Sequence, residues 1–367
     1  MKRGIAWCAV ALVMAGCSGG ASAQKETGGT PQGSESGDPS RRGGKVDGPN
    51  KDGPRSVTFP SASPRSVTLV DFLEDEVALG FGDGAVALFN PKTGKARESK
   101  VAQAHEVAAI APTGDLALVR SSPPAIVSFG GELILQMNTV QQFESAAFGH
   151  DGLALYVADR HGKVRIWGQA HSFEEDQHKE KLENYLNRQA PDFHVEFPPI
   201  RGPIGITDAN QIVVADAEGV VHLWDPTQPS NSKRIMKLGG PIRSVVGAEG
   251  YIYATSTTGA LKIGKADGGY LPWTKDARGG FVTATGLASG MYWQLDDRLV
   301  AARKTEDGEA LWETALPAGH LCGLAVSNDA NWLAACVGNF VVVLDADGGA
   351  VQGVMYRDAE GFSWSGT

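Results

Sequence analysis

The segment EGVVHLWDP, residues 218–226, decides the fold, because it recurs. It consists of a polar turn, a short apolar strand and a second polar turn. Segments of the same form lie along the chain, and the turn residue in front of each strand serves as a mark: Gly84, Gly162, Gly219, Gly259, Arg298 and Gly338. The steps between successive marks are 78, 57, 40, 39 and 40 residues. A fixed period of this length predicts a repeat architecture.

The two longer steps fit the same period. The step of 78 is two periods of 39, and its midpoint, Pro123, lies in LALVRSSPPAIVSF, which also has the form strand, turn, strand. The step of 57 contains SFEEDQHKEKLENYLNRQ, residues 172–189, and removing these 18 residues leaves 39. Seven units of about 40 residues therefore fill the chain from residue 65 onward.

Each unit contains four strand signals. In the fourth unit they are IGITDA, QIVVADA, VVHLWDP and KRIMKL. Four short antiparallel strands repeating every 40 residues or so are typical of a β-propeller blade, and closing the blades into a ring leaves only short edges. We therefore predict an all-β fold over residues 55–367, a seven-bladed β-propeller of four-stranded antiparallel blades. Residues 172–189 form one short helical insertion in blade 3.

Several residues resemble known propeller repeats. Trp224 and Asp225 stand where WD40-type repeats end their third strand with Trp-Asp, and Trp167 occupies the matching place one mark earlier. His105 and the pair Gly319-His320 resemble the Gly-His that precedes the first WD40 strand. The segment DGEALWET, 307–314, is more similar to quinoprotein-type repeats, which include lipoproteins of outer-membrane assembly. The chain thus resembles a WD40-like or quinoprotein-like repeat family, as a bacterial lipoprotein.

Three segments compete to close the ring. RSVTFP, 55–60, has the look of an edge strand and completes the last blade from the N-terminal side in one arrangement. VQGVMYR, 351–357, and GFSWS, 361–365, supply the outer strands of that blade in the other. The sequence leaves this choice open.

Residues 1–16 have the features of an export signal. Two positive charges, Lys2 and Arg3, precede an apolar run at 4–14, which is shorter than the roughly 20 residues that span a bilayer. The four residues 14–17 resemble the bacterial lipobox, although Met14 stands where Leu is commonest.

The lipobox resemblance implies a covalent lipid on Cys17. Because Ser18 rather than Asp follows the cysteine, it also implies delivery to the outer membrane, facing the periplasm, in a cell with two membranes. The alternative is an ordinary secretory signal that is cleaved after Ala21 or Ala23.

Residues 17–54 are rich in Gly, Pro, Ser and charge and contain few large apolar residues. Such a segment cannot bury enough apolar surface to offset its ordering entropy, so we predict a disordered tether. The whole chain carries a net charge of −9, which argues against a nucleic-acid partner, because such partners select clustered Lys and Arg.

Two of the four cysteines remain after Cys8 and Cys17 are assigned to the signal and the lipid. Cys322 and Cys336 lie on a predicted hairpin whose turn is near 327–331. If Val326 pairs with Trp332, the two cysteines stand opposite each other, and export favours a disulfide between them. A shift of one residue in the register removes this geometry and leaves two buried thiols. The sequence favours neither.

The insertion at 172–189 has a capping pattern at its start and a narrow apolar stripe of Leu182, Tyr185 and Leu186. It is either a surface helix packed on blade 3 or a partner-docking element. His171, Glu175 and His178 on adjacent turns are a weak metal-site candidate, because no further strong ligand is fixed by spacing. We therefore predict no metal site.

Acidic residues recur just before the marks: Asp83, Asp159, Asp216, Asp296 and Asp297. They either surround one end of the central channel or bond their own turns, and the preference of Asp for tight turns favours the second. The chain contains no catalytic elbow, zinc motif or phosphate loop.

These observations predict an exported, lipid-anchored propeller that acts as a protein- or peptide-binding scaffold at the cell envelope. We assign no catalytic residue and no cofactor other than the lipid on Cys17. Enzymatic activity is left open, with its absence favoured. The alternatives are a hydrolase or lactonase-like propeller with a metal in the central channel, and a lipoprotein of envelope assembly.

Overall fold

The chain forms a ring of seven β-sheets. This computed structural model describes residues 55–366 except for 74, 102–104, 141, 150–153, 169–192, 208, 210, 226–231, 276 and 289. Strand β1 (Arg55–Ser56) comes first. Blade 1 contains β2 (Val67–Leu73), β3 (Glu76–Phe81), β4 (Ala85–Asn90) and β5 (Lys95–Lys100). Blade 2 contains β6 (Glu106–Ile110), β7 (Leu116–Arg120), β8 (Ala125–Ser128) and β9 (Leu133–Gln136).

The middle blades repeat this order. Blade 3 contains β10 (Phe143–Phe148), β11 (Ala154–Asp159), β12 (Lys163–Gly168) and β13 (Phe193–Glu196). Blade 4 contains β14 (Ile200–Ile206), β15 (Ile212–Asp216), β16 (Val220–Trp224) and β17 (Ser232–Lys237). Blade 5 contains β18 (Ile242–Ala248), β19 (Tyr251–Ser256) and β20 (Leu261–Lys265), followed by a 3-10 helix, η1 (Pro272–Lys275).

The last two blades complete the ring. Blade 6 contains β21 (Phe281–Thr283), β22 (Met291–Asp296), β23 (Leu299–Lys304) and β24 (Ala310–Ala315). Blade 7 contains β25 (Leu321–Val326), β26 (Trp332–Val337), β27 (Phe340–Asp345), β28 (Val351–Arg357) and β29 (Phe362–Gly366). The predicted seven-bladed fold is confirmed, and every mark residue lies just before the third strand of its blade.

The first strand of each blade is innermost. Each contacts the first strands of its two neighbours, and β2 meets β25 to close the circle. The core consists of apolar layers between blades, because each sheet is covered on both faces. One such layer joins Tyr156 and Ile166 of blade 3 to Ile204 and Trp224 of blade 4. Strand β16 is consequently buried along its whole length.

Two tryptophans fasten blades 5, 6 and 7 to one another. Each indole Nε1 donates a hydrogen bond to a carbonyl oxygen of the next blade, at 3.1 Å and 3.0 Å respectively. Each ring also lies against a glycine of that blade, where an added Cβ would come within 2.5 Å and 2.4 Å of a ring carbon. We call these contacts the tryptophan clamps: Trp273 with Thr305 and Gly308, and Trp312 with Ala346 and Gly349.

The ring closes between blades 7 and 1 without a shared blade. Arg357 of β28 bonds Asp83 at 2.8 Å and Glu98 at 2.7 Å, both on blade 1. Trp364 of β29 packs on Phe89 of blade 1, with ring centroids 4.4 Å apart. Blade 7 therefore takes all its strands from the C-terminal side, and 351–357 and 361–365 are its outer strands.

The arrangement in which 55–60 completes the last blade is wrong. Strand β1 instead pairs in parallel with β24 of blade 6, through Arg55 with Thr314 and Ser56 with Ala315. The chain then packs on blade 7, where the rings of Phe59 and Phe340 stack at 4.6 Å. Blade 6 therefore has five strands through the addition of β1, and blade 7 has five through β29, rather than the predicted four.

Blade 5 departs from the prediction in the other direction, with three strands. Residues 266–279 cover the outer edge of β20 irregularly, for example through the hydrogen bonds of Leu271 N to Ile263 O and Leu261 N to Ala277 O. Pro272 has no backbone donor, and it starts the 3-10 helix in place of a fourth strand. In the part of the chain that the structure describes, no helix has the length and apolarity needed to cross a membrane.

Candidate functional site

Charged side chains gather at one end of the central channel. We define the upper mouth as the end at which the innermost strands begin. Four successive blades contribute to it, blade 2 through Glu106 and Arg120, blade 3 through Glu144 and Arg160, blade 4 through Arg201 and blade 5 through Arg243. Because they lie on or beside strands of the ring, rather than on long loops, these groups are held by a rigid scaffold.

A β-bulge in the first strand places three of these residues. Bulges interrupt the first pairing of six blades, at Thr68, Ala108, Glu144, 201–203, Arg243 and Cys322. A bulge leaves its extra residue unpaired and re-aims the side chain, so these positions are freed from the regular alternation of the strand. Glu144, Arg201 and Arg243 therefore occupy equivalent positions on three neighbouring blades.

The arginines and glutamates form a linked network. The Glu144 carboxylate lies 2.8 Å from Arg160 Nε and 3.6 Å from an Arg201 terminal nitrogen. Arg120 donates to the backbone oxygen of Glu144 at 3.2 Å, and its Nε is 3.5 Å from Glu106. Glu144 is the most buried member, with 18% of its side chain exposed, whereas the side chains of Arg160 and Arg201 are 47% and 46% exposed.

The remaining sector of the upper mouth is partly apolar. The Arg243 guanidinium lies 5.8 Å from the ring centre of Phe281, the first residue of the inner strand of blade 6. Leu321 begins the inner strand of blade 7, and both apolar side chains are half-buried. The mouth therefore has a cationic arc on blades 2 to 5 and an apolar arc on blades 6 and 7.

Three of the five acidic residues before the marks, Asp83, Asp159 and Asp216, bond their own turns, as the second alternative predicts for them. Asp159 Oδ1 accepts from the amides of His161 and Lys163, and Asp216 Oδ1 accepts in the same way from the amides of residues 218 and 220. The second oxygens bind buried side chains of the third strand, Arg165 at 2.7 Å and His222 at 2.9 Å. Both aspartates are therefore structural.

A polar cleft of about 380 Å³ lies at the upper end of blade 3. Its lining includes Asp159, Lys163, Arg165 and Glu196. Asp159 and Arg165 neutralise each other, and Lys163 and Glu196 are paired across the two outer strands. The cleft has no net charge from these four groups, which makes it a weaker ligand site than the upper mouth.

Cys322 and Cys336 form a disulfide in the structure. The predicted register is wrong by one residue, because Val326 pairs with Leu333 rather than with Trp332. In a regular ladder this shift would separate the thiols, but Cys322 occupies the bulge of β25 while the adjacent Gly323 pairs with Cys336. The bulge therefore restores the contact that the shift removes.

The other candidate residues lie outside the described part of the chain. They are Cys17, the metal candidates His171, Glu175 and His178, and the docking residues Leu182, Tyr185 and Leu186. Within the described ranges, no three or more His, Cys, Asp or Glu side chains are placed to hold a metal ion.

A family model described as outer membrane protein assembly factor BamB, of PQQ_2 type, matches residues 155–356. The match covers just over half of the 367 residues. The chain belongs to this PQQ_2 family. Of the two resemblances, the quinoprotein-like one is thus the family shown. The PQQ_2 match includes both tryptophan clamps and blade 4, although the sequence of blade 4 resembled WD40 repeats.

Solved structures share the fold of this PQQ_2 chain. The computationally designed Ika8 protein aligns with a TM-score of 0.57 and 14% identity, covering 86% of this chain and 100% of its own. The structure of U3-55K aligns with a TM-score of 0.56 and 13% identity, covering 78% and 93%. None of the curated proteins searched matches the chain. At these identities the structural matches show the fold alone.

Sequence reasoning did not find the cationic arc, although its signal was present. Arg201 follows Glu144 by 57 residues, the same step that becomes 39 when the insertion is removed. Arg243 follows Arg201 by 42 residues, one further period. When the units are aligned on their first strands, rather than on the turn before the third strand, Glu144, Arg201 and Arg243 fall at equivalent positions.

Proposed function

We propose that this PQQ_2 propeller is an exported, lipid-anchored scaffold of the cell envelope that binds a protein or peptide partner at its upper mouth. The family match carries the proposal, because its description is that of an outer-membrane protein assembly factor. Envelope assembly is therefore the context we propose, and Cys17 is the residue that we expect to carry the lipid.

The upper mouth supports a binding role. It joins charged side chains of four blades to half-buried apolar side chains of two more, which is the composition of a surface that orients a partner through charge and holds it through burial. The stripe of Leu182, Tyr185 and Leu186 remains a second proposed docking element.

The anchor and the tether define how far the ring reaches. If residues 17–54 behave as a flexible coil, their ends lie on average about 35 Å apart. A ring held at this distance meets partners at the membrane surface without being inserted in it.

The anchor is tested by mass spectrometry of the N-terminal peptide. We expect a diacylglyceryl-modified Cys17 in the wild-type chain, and we expect Cys17→Ser to move the protein from the membrane fraction to the soluble fraction after export. An unmodified N-terminus that begins after Ala21 or Ala23 would show an ordinary secretory signal instead.

Partner binding is tested by photo-crosslinking in intact cells. A photoreactive residue at position 241, which is exposed just before the inner strand of blade 5 at the upper mouth, is compared with the same residue at position 234, which is exposed on the outer strand of blade 4. We expect a discrete crosslinked envelope protein from position 241 alone. The experiment is repeated with a chain that lacks residues 172–189. Loss of the crosslink in that chain would indicate that the insertion, rather than the mouth alone, binds the partner. A tightly bound divalent ion on the purified chain would favour the metal-dependent enzyme.

A further inference from the structure

We propose that the upper mouth recognises a carboxylate-rich peptide segment that carries a neighbouring apolar side chain. The inference rests on the proposed scaffold function and names the chemistry of its partner. The cationic arc binds the acidic side chains, and the apolar arc of Phe281 and Leu321 receives the apolar one.

The charge at the mouth is opposite to that of the whole chain. The charged residues named for the upper mouth are the linked Glu106, Arg120, Glu144, Arg160 and Arg201, with Arg243 beside them, a formal excess of two positive charges, whereas the chain carries −9. A local field of this sign attracts anionic segments, and the acidic remainder of the surface repels extended polyanions that overlap it. A short acidic segment therefore fits better than a nucleic acid.

Arginine is suited to this ligand. The planar guanidinium presents several N–H donors in a fork that matches a carboxylate, and such charge-assisted hydrogen bonds are stronger than neutral ones. The mouth already holds one carboxylate in this way, because Glu144 lies within ion-pair distance of both Arg160 and Arg201. The scaffold therefore places guanidinium groups at a separation that accepts a carboxylate between them.

Two of the arginines retain capacity for a ligand. The contact of Arg201 with Glu144 is long, at 3.6 Å, and its side chain is 46% exposed. Arg243 contacts the face of Phe281, and no carboxylate of the described residues lies within ion-pair distance of it. Both occupy bulges of adjacent blades, so we expect an incoming carboxylate to reach both guanidinium groups while Glu144 keeps its contact with Arg160.

The apolar arc adds direction. Phe281 and Leu321 are half-buried and pack on the apolar layer between blades 6 and 7, so their exposed faces are fixed in place. An apolar side chain next to the acidic residues gains burial there, and Arg243, which touches Phe281, joins the two arcs. A peptide with charge at one end and an apolar residue at the other thus binds in one orientation.

The test uses the full chain in a zwitterionic detergent and fluorescence anisotropy of labelled peptides. The probe is a short peptide of Asp and Glu residues with one Phe and one Leu, and its matched control has Asn and Gln at the acidic positions. We expect the acidic peptide to bind at least about tenfold more tightly than the amide peptide, with the difference shrinking as salt rises.

Three variants locate the binding. We expect Arg201→Gln and Arg243→Gln each to weaken acidic-peptide binding about five- to tenfold, and Arg234→Gln on the outer strand to leave it unchanged. Each variant is first shown to melt like the wild type. Equal binding of acidic and amide peptides, equal effects of Arg201→Gln and Arg234→Gln, or preferential binding of a DNA duplex would each overturn the inference.

The inference and the scaffold function fail in different ways. If the crosslink from position 241 persists while the acidic peptide shows no preference, the partner binds at the mouth through other chemistry and only the present inference is wrong. If position 241 captures no envelope protein while the acidic peptide binds as expected, the mouth has the chemistry we infer but the scaffold role is wrong.

Discussion

The tryptophan clamp between blades 6 and 7 makes a sharp prediction for Gly349→Ala. An added Cβ would lie 2.4 Å and 2.7 Å from two ring carbons of Trp312, whose indole is buried and bonded to Ala346 O. The ring cannot retreat without losing this bond. Overpacking of this kind typically costs about 1–3 kcal/mol.

Gly349 also has a φ of +66°, a left-handed conformation that costs an L-residue roughly 1–2 kcal/mol. The two effects together predict that Gly349→Ala lowers the free energy of unfolding by about 2–5 kcal/mol. Gly250→Ala is the matched control, because its φ is +75° and a Cβ there meets nothing within 4 Å. It should show the conformational cost alone.

The assay is urea denaturation followed by circular dichroism, which does not depend on the fluorescence of Trp312. We expect Gly349→Ala to exceed Gly250→Ala by about 1–3 kcal/mol, and Gly308→Ala, at the clamp of Trp273, to behave like Gly349→Ala. If Gly349→Ala and Gly250→Ala agree within about 0.5 kcal/mol, the added methyl group does not clash with the Trp312 ring and the reasoning is refuted.

Three further substitutions test other contacts by the same denaturation assay. Cys322→Ser opens a disulfide that joins residues 14 apart, and we expect a loss of about 3 kcal/mol, matched by reduction of the wild type. Arg357→Gln removes both ion pairs of the seam between blades 7 and 1 and should cost about 2 kcal/mol, whereas Arg97→Gln, with an exposed pair inside blade 1, should cost under about 1 kcal/mol. Tyr292→Phe removes a buried hydroxyl that has no hydrogen-bond partner among the described residues, so it should be neutral or stabilising by up to about 1 kcal/mol. Tyr253→Phe should instead be destabilising, because the Tyr253 hydroxyl is hydrogen-bonded to Thr305.

The tyrosine prediction has a pH signature. Burial raises the pKa of Tyr292 well above its usual value near 10. Above pH 10 the unfolded chain therefore loses this proton while the folded chain keeps it, and stability falls as pH rises. Tyr292→Phe should flatten that decline. A decline of unchanged slope would contradict the burial of the neutral hydroxyl. A Cys322→Ser variant as stable as the wild type would contradict the stabilising role of the disulfide. Equal losses of stability for Arg357→Gln and Arg97→Gln would contradict the contribution of the ion pairs between blades 7 and 1.

The repeat was readable in the sequence because five of the seven blades have a glycine in the turn before the third strand. Gly84, Gly162 and Gly219 have φ values of +81°, +96° and +76°, a conformation that glycine adopts without penalty. At Gly219 an added Cβ would also fall 2.4 Å from Gly240 O. Backbone and space both select glycine there, so the period is visible without an alignment.

The bulges were not readable. A bulge of one residue demands no residue type, and the five single-residue bulges carry Thr, Ala, Glu, Arg and Cys. The hairpin of Cys322 was therefore predicted in a regular register, one residue away from the observed one. The cationic arc was missed for the same reason, because the equivalence of Glu144, Arg201 and Arg243 becomes visible only when the bulges are aligned.

Ring closure depended on contacts that no local pattern specifies. The segments 55–60 and 361–365 are both short, and either can add to an outer edge. The outcome follows from distant partners, the pairing of Arg55 and Ser56 with blade 6 and the packing of Trp364 on Phe89. Such choices are made by tertiary contacts rather than by the propensity of the strand.

The position of β1 has a mechanical consequence. A pull on the chain from its N-terminal side first loads two residue pairs between β1 and β24 and then the stacking of Phe59 on Phe340. These contacts can peel away one after another while every blade retains its own strands. In a ring whose last blade combined both chain ends, the same pull would shear that blade. Under tension, the N-terminal segment therefore detaches from blades 6 and 7 before the propeller opens.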